Sequence, residues 1–204
     1  MADITNLPAD ISPAAFFTLV EQALASEPAP AGASPDKLQI YLEGDDGGAW
    51  TLGFVDGALK VVSEDVGGTP LQVSLTVDDW RALVAGSVRD AIAAKVDKHI
   101  GFDPETVAQL YQVTYKTEQI KALSGDLQIV IEDKGNGNDH KLTLTFGGGE
   151  PKPAAPTTTV SVDLDDFIDM ANGEVQPQAA FFMGKIRLDG DMNLAMSLMA
   201  LAQA

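Results

Sequence analysis

Few residues of this chain belong to types that do chemistry, and their spacing favours structural roles. The two histidines are His99, which ends an alanine-rich segment, and His140, which stands beside Asp139 in a charged turn. We interpret both as solvated surface residues. Because the chain has no cysteine, two histidines form no usual zinc site unless carboxylates join them. Disulfides and thiolate catalysis are excluded for the same reason. The sequence therefore predicts no metal site and no cofactor.

Paired carboxylates are the other candidates for chemistry. Asp78-Asp79 and Asp163 with Asp165-Asp166 resemble the acid pairs that glycosidases or metal enzymes use. Each group, however, follows a strand-like segment and begins a helical one, where carboxylates cap the helix and face the positive end of its dipole. We predict capping, and we predict that the protein is not an enzyme. A hydrolase that uses Asp166 ranks third among the functions considered.

The charge of the chain limits its partners. Thirty acidic and thirteen basic residues give a formal net charge of -17, and residues 1–101 and 102–204 carry fifteen acids each. Nucleic-acid binding needs clustered Lys and Arg, so it is excluded. The same charge predicts at most weak contact with anionic membranes. The N-terminal residues lack the pattern of a signal peptide, and no apolar run approaches the length of a membrane span, so we predict a soluble cytoplasmic protein.

Hydrophobic periodicity indicates two successions of a helix followed by strands. Ser12-Pro13 and Asp103-Pro104 are typical helix starts, the second helix running to about Leu123 with Gly125 ending it. Alternation of apolar and polar residues predicts strands, and the 3.6-residue period predicts further helices. The predicted strands lie near residues 38–42, 50–54, 58–63, 73–77, 127–131, 142–146 and 160–164, and the later helices near 78–87, 89–100, 165–172 and 192–201.

An internal repeat is the most informative pattern in the sequence. Three blocks recur in order at offsets of 89, 92 and 87 residues, so only the turns between them differ in length. The matched pairs are 38–48 with 127–137, 50–54 with 142–146, and 73–88 with 160–175. The repeat predicts a duplication with one domain at residues 1–101 and a second at 102–204, each long enough for one sheet with helices on one face.

The end of the second copy resembles a known family, the sterol carrier protein 2 (SCP2-like) family. In that family a short helix ends in Gly and is followed by a Pro, an aromatic pair, Gly-Lys, an alternating strand, Gly and a helix rich in Met, Leu and Ala. The matching residues here are Gly173, Pro177, Phe181-Phe182, Gly184-Lys185, Ile186-Arg187-Leu188, Gly190 and Met192 to Leu201. The resemblance covers about residues 103–204, whereas residues 12–100 resemble a divergent copy without the aromatic pair and the final helix.

The resemblance implies an α+β fold, with a mixed sheet of about five strands covered by helices, in two tandem copies. It also implies an apolar tunnel that binds or transfers fatty acyl chains, sterols or similar lipids without catalysis. Five of the six methionines follow residue 169, and flexible thioethers suit adaptable apolar sites. The side chains predicted to line the tunnel are Phe167, Met170, Phe181, Phe182, Met183, Ile186, Met192, Met196 and Met199.

Two alternatives stay open. The same side chains are compatible with a plain protein core, because a helix that is apolar on two sides only needs something packed on each. The second alternative is an interaction module in which the two copies form an intrachain pseudo-dimer without ligand, and the final helix fills the tunnel or binds a protein partner. Burial of the stripe from Met192 to Met199 against the first copy would favour this module.

Overall fold

The computed structural model of the protein describes residues 7–25, 37–95 and 117–203. Within them, helices pack on a mixed β-sheet, which confirms the predicted α+β class. The helices are α1 (Pro13–Leu24), α2 (Val77–Ala85), α3 (Ser87–Lys95), α4 (Thr117–Lys121), α5 (Leu164–Ala171), α6 (Pro177–Phe182) and α7 (Met192–Gln203). The strands are β1 (Leu38–Glu43), β2 (Gly48–Val55), β3 (Ala58–Val62), β4 (Leu71–Thr76), β5 (Gly125–Asp133), β6 (Asn138–Phe146), β7 (Thr158–Asp163) and β8 (Ile186–Gly190).

The prediction of about five strands per sheet is wrong, because both halves contribute to one sheet of eight. Its strand order is β3-β2-β1-β4-β6-β5-β7-β8. The halves meet where β4 and β6 pair antiparallel. In the second half, the equivalent edge of β7 pairs antiparallel with β8. The edge of a strand offers a row of unpaired N–H and C=O groups with which any neighbouring strand can pair. In the first half, β6 occupies the position beside β4 that β8 occupies beside β7 in the second half.

The pairing registers of the two halves agree with the repeat. Ile40 pairs with Val73 between the parallel strands β1 and β4. The repeat aligns these two residues with Ile129 and Val160, which pair in the same way between β5 and β7. The antiparallel hairpins β1–β2 and β5–β6 share a register likewise. The shared register supports a duplication, while the predicted boundary between residues 101 and 102 lies outside the described residues.

Side-chain caps fix the starts of several helices, at Ser12 and Asp163 as the sequence predicted. The cap of α2 is Thr76, and the predicted Asp78 and Asp79 lie in its first turn instead. Ser12 accepts a hydrogen bond from the backbone N–H of Ala15, and Thr76 accepts one from the N–H of Asp79 at 3.0 Å. Asp163 caps α5 in the same way. Most of the second predicted Pro-started helix lies outside the described residues, and α4 covers Thr117–Lys121. Gly125 begins β5 instead of ending that helix, and its φ of +113° suits glycine.

One face of the sheet packs against α1, α2, α4 and α7 around an aromatic cluster in the first half. Phe17 stacks on Trp50 with ring centroids 4.7 Å apart, and Phe16 meets Trp80 edge to face at 5.4 Å. All four side chains are buried. In the repeat, Leu142 and Phe167 take the positions of the two tryptophans and are only half-buried. At these two positions the first half therefore has larger and more deeply buried side chains than the second half.

The other face of the sheet carries a buried polar layer that the sequence analysis missed. Gln39 is 0 % exposed, its amide donates to the Trp50 carbonyl, and it accepts from the Thr51 hydroxyl at 2.6 Å. The repeat aligns this pair with Gln128 and Thr143, which also share a hydrogen bond. In each half the connection that leads to β4 or β7 crosses this face and adds further hydrogen bonds. The sequence did hold a signal for this layer, because Gln and Thr recur between apolar residues at matching positions of the two copies.

Tyr41, on the same face, is expected to ionise at unusually high pH. Burial, and then a hydrogen bond to Asp65, raise the pKa of Tyr41 to about 12. The neutral phenol is thus favoured in the folded state, so the stabilisation is complete below the unfolded pKa of about 10 and is lost as pH rises through about 12. Ultraviolet absorbance during an alkaline titration, compared between the wild type and Tyr41→Phe, isolates this ionisation. A difference titrating near pH 10 would contradict the burial of this hydroxyl.

Candidate functional site

The turn between α6 and β8 lies among the predicted lining residues and is anchored to α5. After α6 the chain turns through Gly184, whose φ of +74° suits glycine. The next residue, Lys185, donates to Asp166 at 2.6 Å and lies 3.6 Å from Asp169. These carboxylates raise the pKa of the Lys185 ammonium above its ordinary value, the hydrogen bond to Asp166 being the largest cause. The lysine therefore holds the α6–β8 turn against α5.

The beginning of α7 is positioned by a second contact at the end of β8. A Cβ atom on Gly190 would lie 2.3 Å from the Thr157 carbonyl oxygen, so only glycine fits there. The same carbonyl accepts from the backbone N–H of Asp191, and the Thr158 hydroxyl donates to the Asp191 carbonyl at 2.7 Å. Gly190 thus allows the residue before α7 to stay hydrogen-bonded to the beginning of β7.

The structure places the nine predicted lining residues at different depths. Phe182 is 86 % exposed, and Met183, Met192 and Met196 are each more than half exposed. The Phe181 and Phe182 rings meet edge to face with centroids 5.8 Å apart. Half-buried side chains are those of Phe167, Met170, Phe181 and Ile186, and Met199 lies within α7.

Helix α7 is apolar on two sides, and the part of the chain that the structure describes covers one of them. Leu194 and Ala195 are 5 % and 4 % exposed, and Leu194 packs into the main core. Met192 and Met196 are both 54 % exposed. Met192 and Met196 are therefore not buried against the described part of the first half.

Phe167 packs toward the first half. It lies beside a small apolar cluster formed by Val88 and Ile92 of α3 and Ile168 of α5. Lys95 at the end of α3 forms an ion pair with Asp165 at the start of α5. The two halves therefore contact each other through helices as well as through the sheet.

His140 is a correction to the sequence analysis, since its side chain is not solvated. It is 11 % exposed, and its Nδ1 lies 3.4 Å from Oδ1 of Asp79. Strand β6 includes residue 140 and brings it beneath the start of α2. His99 lies outside the described residues. Among residues 7–25, 37–95 and 117–203, no group of three or more potential ligand side chains is arranged to hold a metal.

Comparison with protein families gives a match over the second half. The model of the SCP-2 sterol transfer family matches residues 106–203. This range contains all nine predicted lining residues.

Curated relatives match the same portion of the chain. Hydroxysteroid dehydrogenase-like protein 2 of Xenopus tropicalis is 36% identical over 85 residues, which is 40% of this chain and 20% of the relative. Peroxisomal multifunctional enzyme A of Dictyostelium discoideum is 34% identical over 42% of this chain and 20% of its own length. Human sterol carrier protein 2 is 42% identical over 39% of this chain and 15% of its own. The chain spans about a fifth or less of these relatives.

Among solved structures, the chain is similar to sterol carrier protein domain 2 of Helicoverpa armigera. The identity is 26%, over 48% of this chain and 84% of that one, with a TM-score of 0.36. A palmitated SCP2L2 from Aedes aegypti is 21% identical over 48% of this chain and 92% of that one, with a TM-score of 0.34.

The relatives overturn one expectation of the sequence analysis. The prediction that the protein is not an enzyme is contradicted, because two of these relatives are named as a dehydrogenase-like protein and a multifunctional enzyme. Regions of this type thus occur in relatives that are named as enzymes. A resemblance to a carrier is therefore no ground for excluding catalysis. The match covers 20% of each of these two relatives, so it does not include the rest of their chains. As to membranes, the described helices include none with the length and apolarity of a span.

Proposed function

Residues 106–203 belong to the SCP-2 sterol transfer family, and from this premise we propose that the second copy, residues 102–204, binds a fatty acyl chain, a sterol-like molecule or another lipid. The ligand lies against α6, β8 and the outer side of α7. The divergent first copy, residues 1–101, serves as a scaffold. Binding is driven by burial of apolar surface, at roughly 25 cal/mol per Å².

The observation that carries this proposal is the uncovered apolar surface in a strongly acidic protein. Phe182 is 86 % exposed and Met196 54 % exposed, although the chain carries a net charge of -17. Exposed apolar side chains that lie against one another mark binding surfaces, and the ring of Phe182 lies against that of Phe181. The filled aromatic interior around Phe16 and Trp80 argues against a similar site in the first copy.

Phe182→Ala is expected to weaken fatty-acid binding about tenfold, because each 1.4 kcal/mol of lost apolar burial changes affinity by that factor. The measurement is native mass spectrometry of delipidated protein titrated with palmitate. Because Phe182 is 86 % exposed, the substitution should leave folding unchanged. Val62→Ala, an exposed apolar position on β3, is the matched control and should bind as the wild type does. Absence of any adduct in the wild type would refute lipid binding.

The alternative function, an interaction module built as an intrachain pseudo-dimer, draws support from the pairing of β4 with β6, which joins the halves in one sheet. In that case the exposed surface of α7 meets a protein partner. Delipidated protein that binds no palmitate but has an unchanged fold would favour this alternative.

A further inference from the structure

Methionine is the only sulfur-containing residue of this chain, and three methionines are open to solvent. The sequence holds six methionines and no cysteine. Met183, Met192 and Met196 are 57 %, 54 % and 54 % exposed. They make up three of the seven large apolar side chains that are exposed in the part of the chain that the structure describes. An oxidant dissolved in water therefore reaches a thioether at each of these positions.

The three thioethers belong to the surface proposed to bind lipid. Met192 and Met196 lie one turn apart on α7, so they share a face of that helix. Met183 caps the end of α6 and follows Phe182, which is 86 % exposed. Helix α7 carries no charged side chain. Ligand affinity at this surface therefore depends on apolar contacts, to which the methionine side chains contribute.

Met170 provides a comparison within the same half of the chain. It lies on α5 and is half-buried, whereas Met183, Met192 and Met196 are each more than half exposed. Oxidation of a side chain becomes faster as the side chain becomes more accessible to solvent. The exposed methionines should therefore react with a soluble oxidant before Met170 does.

Oxidation changes the chemistry of a methionine side chain without changing its charge. The thioether sulfur attacks one oxygen of hydrogen peroxide, the O–O bond breaks, and a sulfoxide and water form. The sulfur loses two electrons and the peroxide gains them. The product is polar and chiral, and its oxygen accepts hydrogen bonds from water that an apolar ligand would displace. Burial of such a group without a hydrogen-bond partner is costly, so the sulfoxide opposes lipid binding.

We propose that oxidation of Met183, Met192 and Met196 to sulfoxides lowers the lipid affinity of this protein, and that reduction of the sulfoxides restores it. This inference rests on the proposed lipid-binding function and adds its regulation. A dithiol methionine sulfoxide reductase supplies the two electrons, releases the oxygen as water and is left with a disulfide. Because the three side chains are exposed, their oxidation leaves the buried core intact.

The test begins with hydrogen peroxide treatment of the delipidated full chain, followed by peptide mass spectrometry. Met183, Met192 and Met196 are expected to oxidise at least about fivefold faster than Met170, and saturating palmitate should slow their oxidation. Native mass spectrometry with palmitate then compares treated and untreated protein. The Kd of the oxidised protein should be at least about tenfold higher, and a methionine sulfoxide reductase should restore the original value. Circular dichroism should be the same before and after treatment.

Two variants assign the effect to the exposed methionines. The triple variant Met183→Leu, Met192→Leu, Met196→Leu has no thioether at these positions, so peroxide should leave its palmitate affinity unchanged from whatever starting value it has. Met170→Leu is the matched control, which keeps the three thioethers and should lose affinity on oxidation as the wild type does.

The outcomes separate this regulation from the lipid-binding function itself. Equal palmitate affinity before and after complete oxidation would overturn the regulation and leave lipid binding standing. The regulation would also be overturned by an equal loss of affinity in the oxidised triple variant, or by faster oxidation of Met170 than of Met192 and Met196. Absence of a palmitate adduct in the untreated protein would refute the proposed function, and its regulation with it.

Discussion

Phe16→Ala is expected to lower the free energy of unfolding by about 4 kcal/mol, near the top of the range for a buried phenylalanine. Phe16 is 0 % exposed and lies edge to face with both Phe17 and Trp80, at centroid distances of 5.2 and 5.4 Å. Truncation removes these contacts and leaves a cavity between α1 and α2. Phe182→Ala, at a position 86 % exposed, is the matched control and should change stability by less than about 0.5 kcal/mol.

Urea unfolding followed by two probes measures this effect and also tests the continuous sheet. Both tryptophans, Trp50 and Trp80, lie in the first half, so fluorescence reports on that half, whereas far-ultraviolet circular dichroism reports on all strands. Because β4 and β6 join the halves, Phe16→Ala should shift both transitions together. A circular-dichroism transition that stays partly at the wild-type midpoint would mean that the halves unfold separately. Equal effects of Phe16→Ala and Phe182→Ala would contradict the described core.

Gln39→Leu is expected to lower the free energy of unfolding by about 2 kcal/mol, although leucine is the more apolar residue. The Gln39 amide donates to the carbonyls of Trp50 and Glu64, and its oxygen accepts from the Thr51 hydroxyl and the Val66 N–H. These groups are at least partly buried, so removal of the amide leaves some of them without a partner. Desolvated polar groups without partners are what make the substitution costly.

Two further variants control the result for Gln39. Gln178→Leu, at an exposed position of α6, should have almost no effect on the urea midpoint. Gln128→Leu, at the equivalent position of the second half, should be destabilising, because its amide donates to Thr143 Oγ1 and to the Pro153 carbonyl. A neutral or stabilising Gln39→Leu would show that the polar layer is solvated rather than buried.

Much of the secondary structure follows from local sequence. Alternation of apolar residues located the strands, and the caps at Ser12 and Asp163 located helix starts, since each depends on contacts within a few residues. The repeat also implied equal registers in both halves, which the pairing of Ile40 with Val73 and of Ile129 with Val160 bears out. The family followed from the spacing of Phe181-Phe182, Gly184 and Gly190. The nine lining residues remain a prediction that the binding experiment tests.

The sequence by itself determined the order of the elements, the face of each strand that is apolar and the family of the second half. Only the tertiary structure decided that two copies form one eight-stranded sheet, because the unpaired edges of β4 and β6 carry no residue pattern that names a partner. Burial of Gln39 and His140 was decided in the same way. A polar residue within an alternating strand is typical of a solvated face, and it is buried only when a distant segment, here a crossing connection or the start of α2, is brought over it.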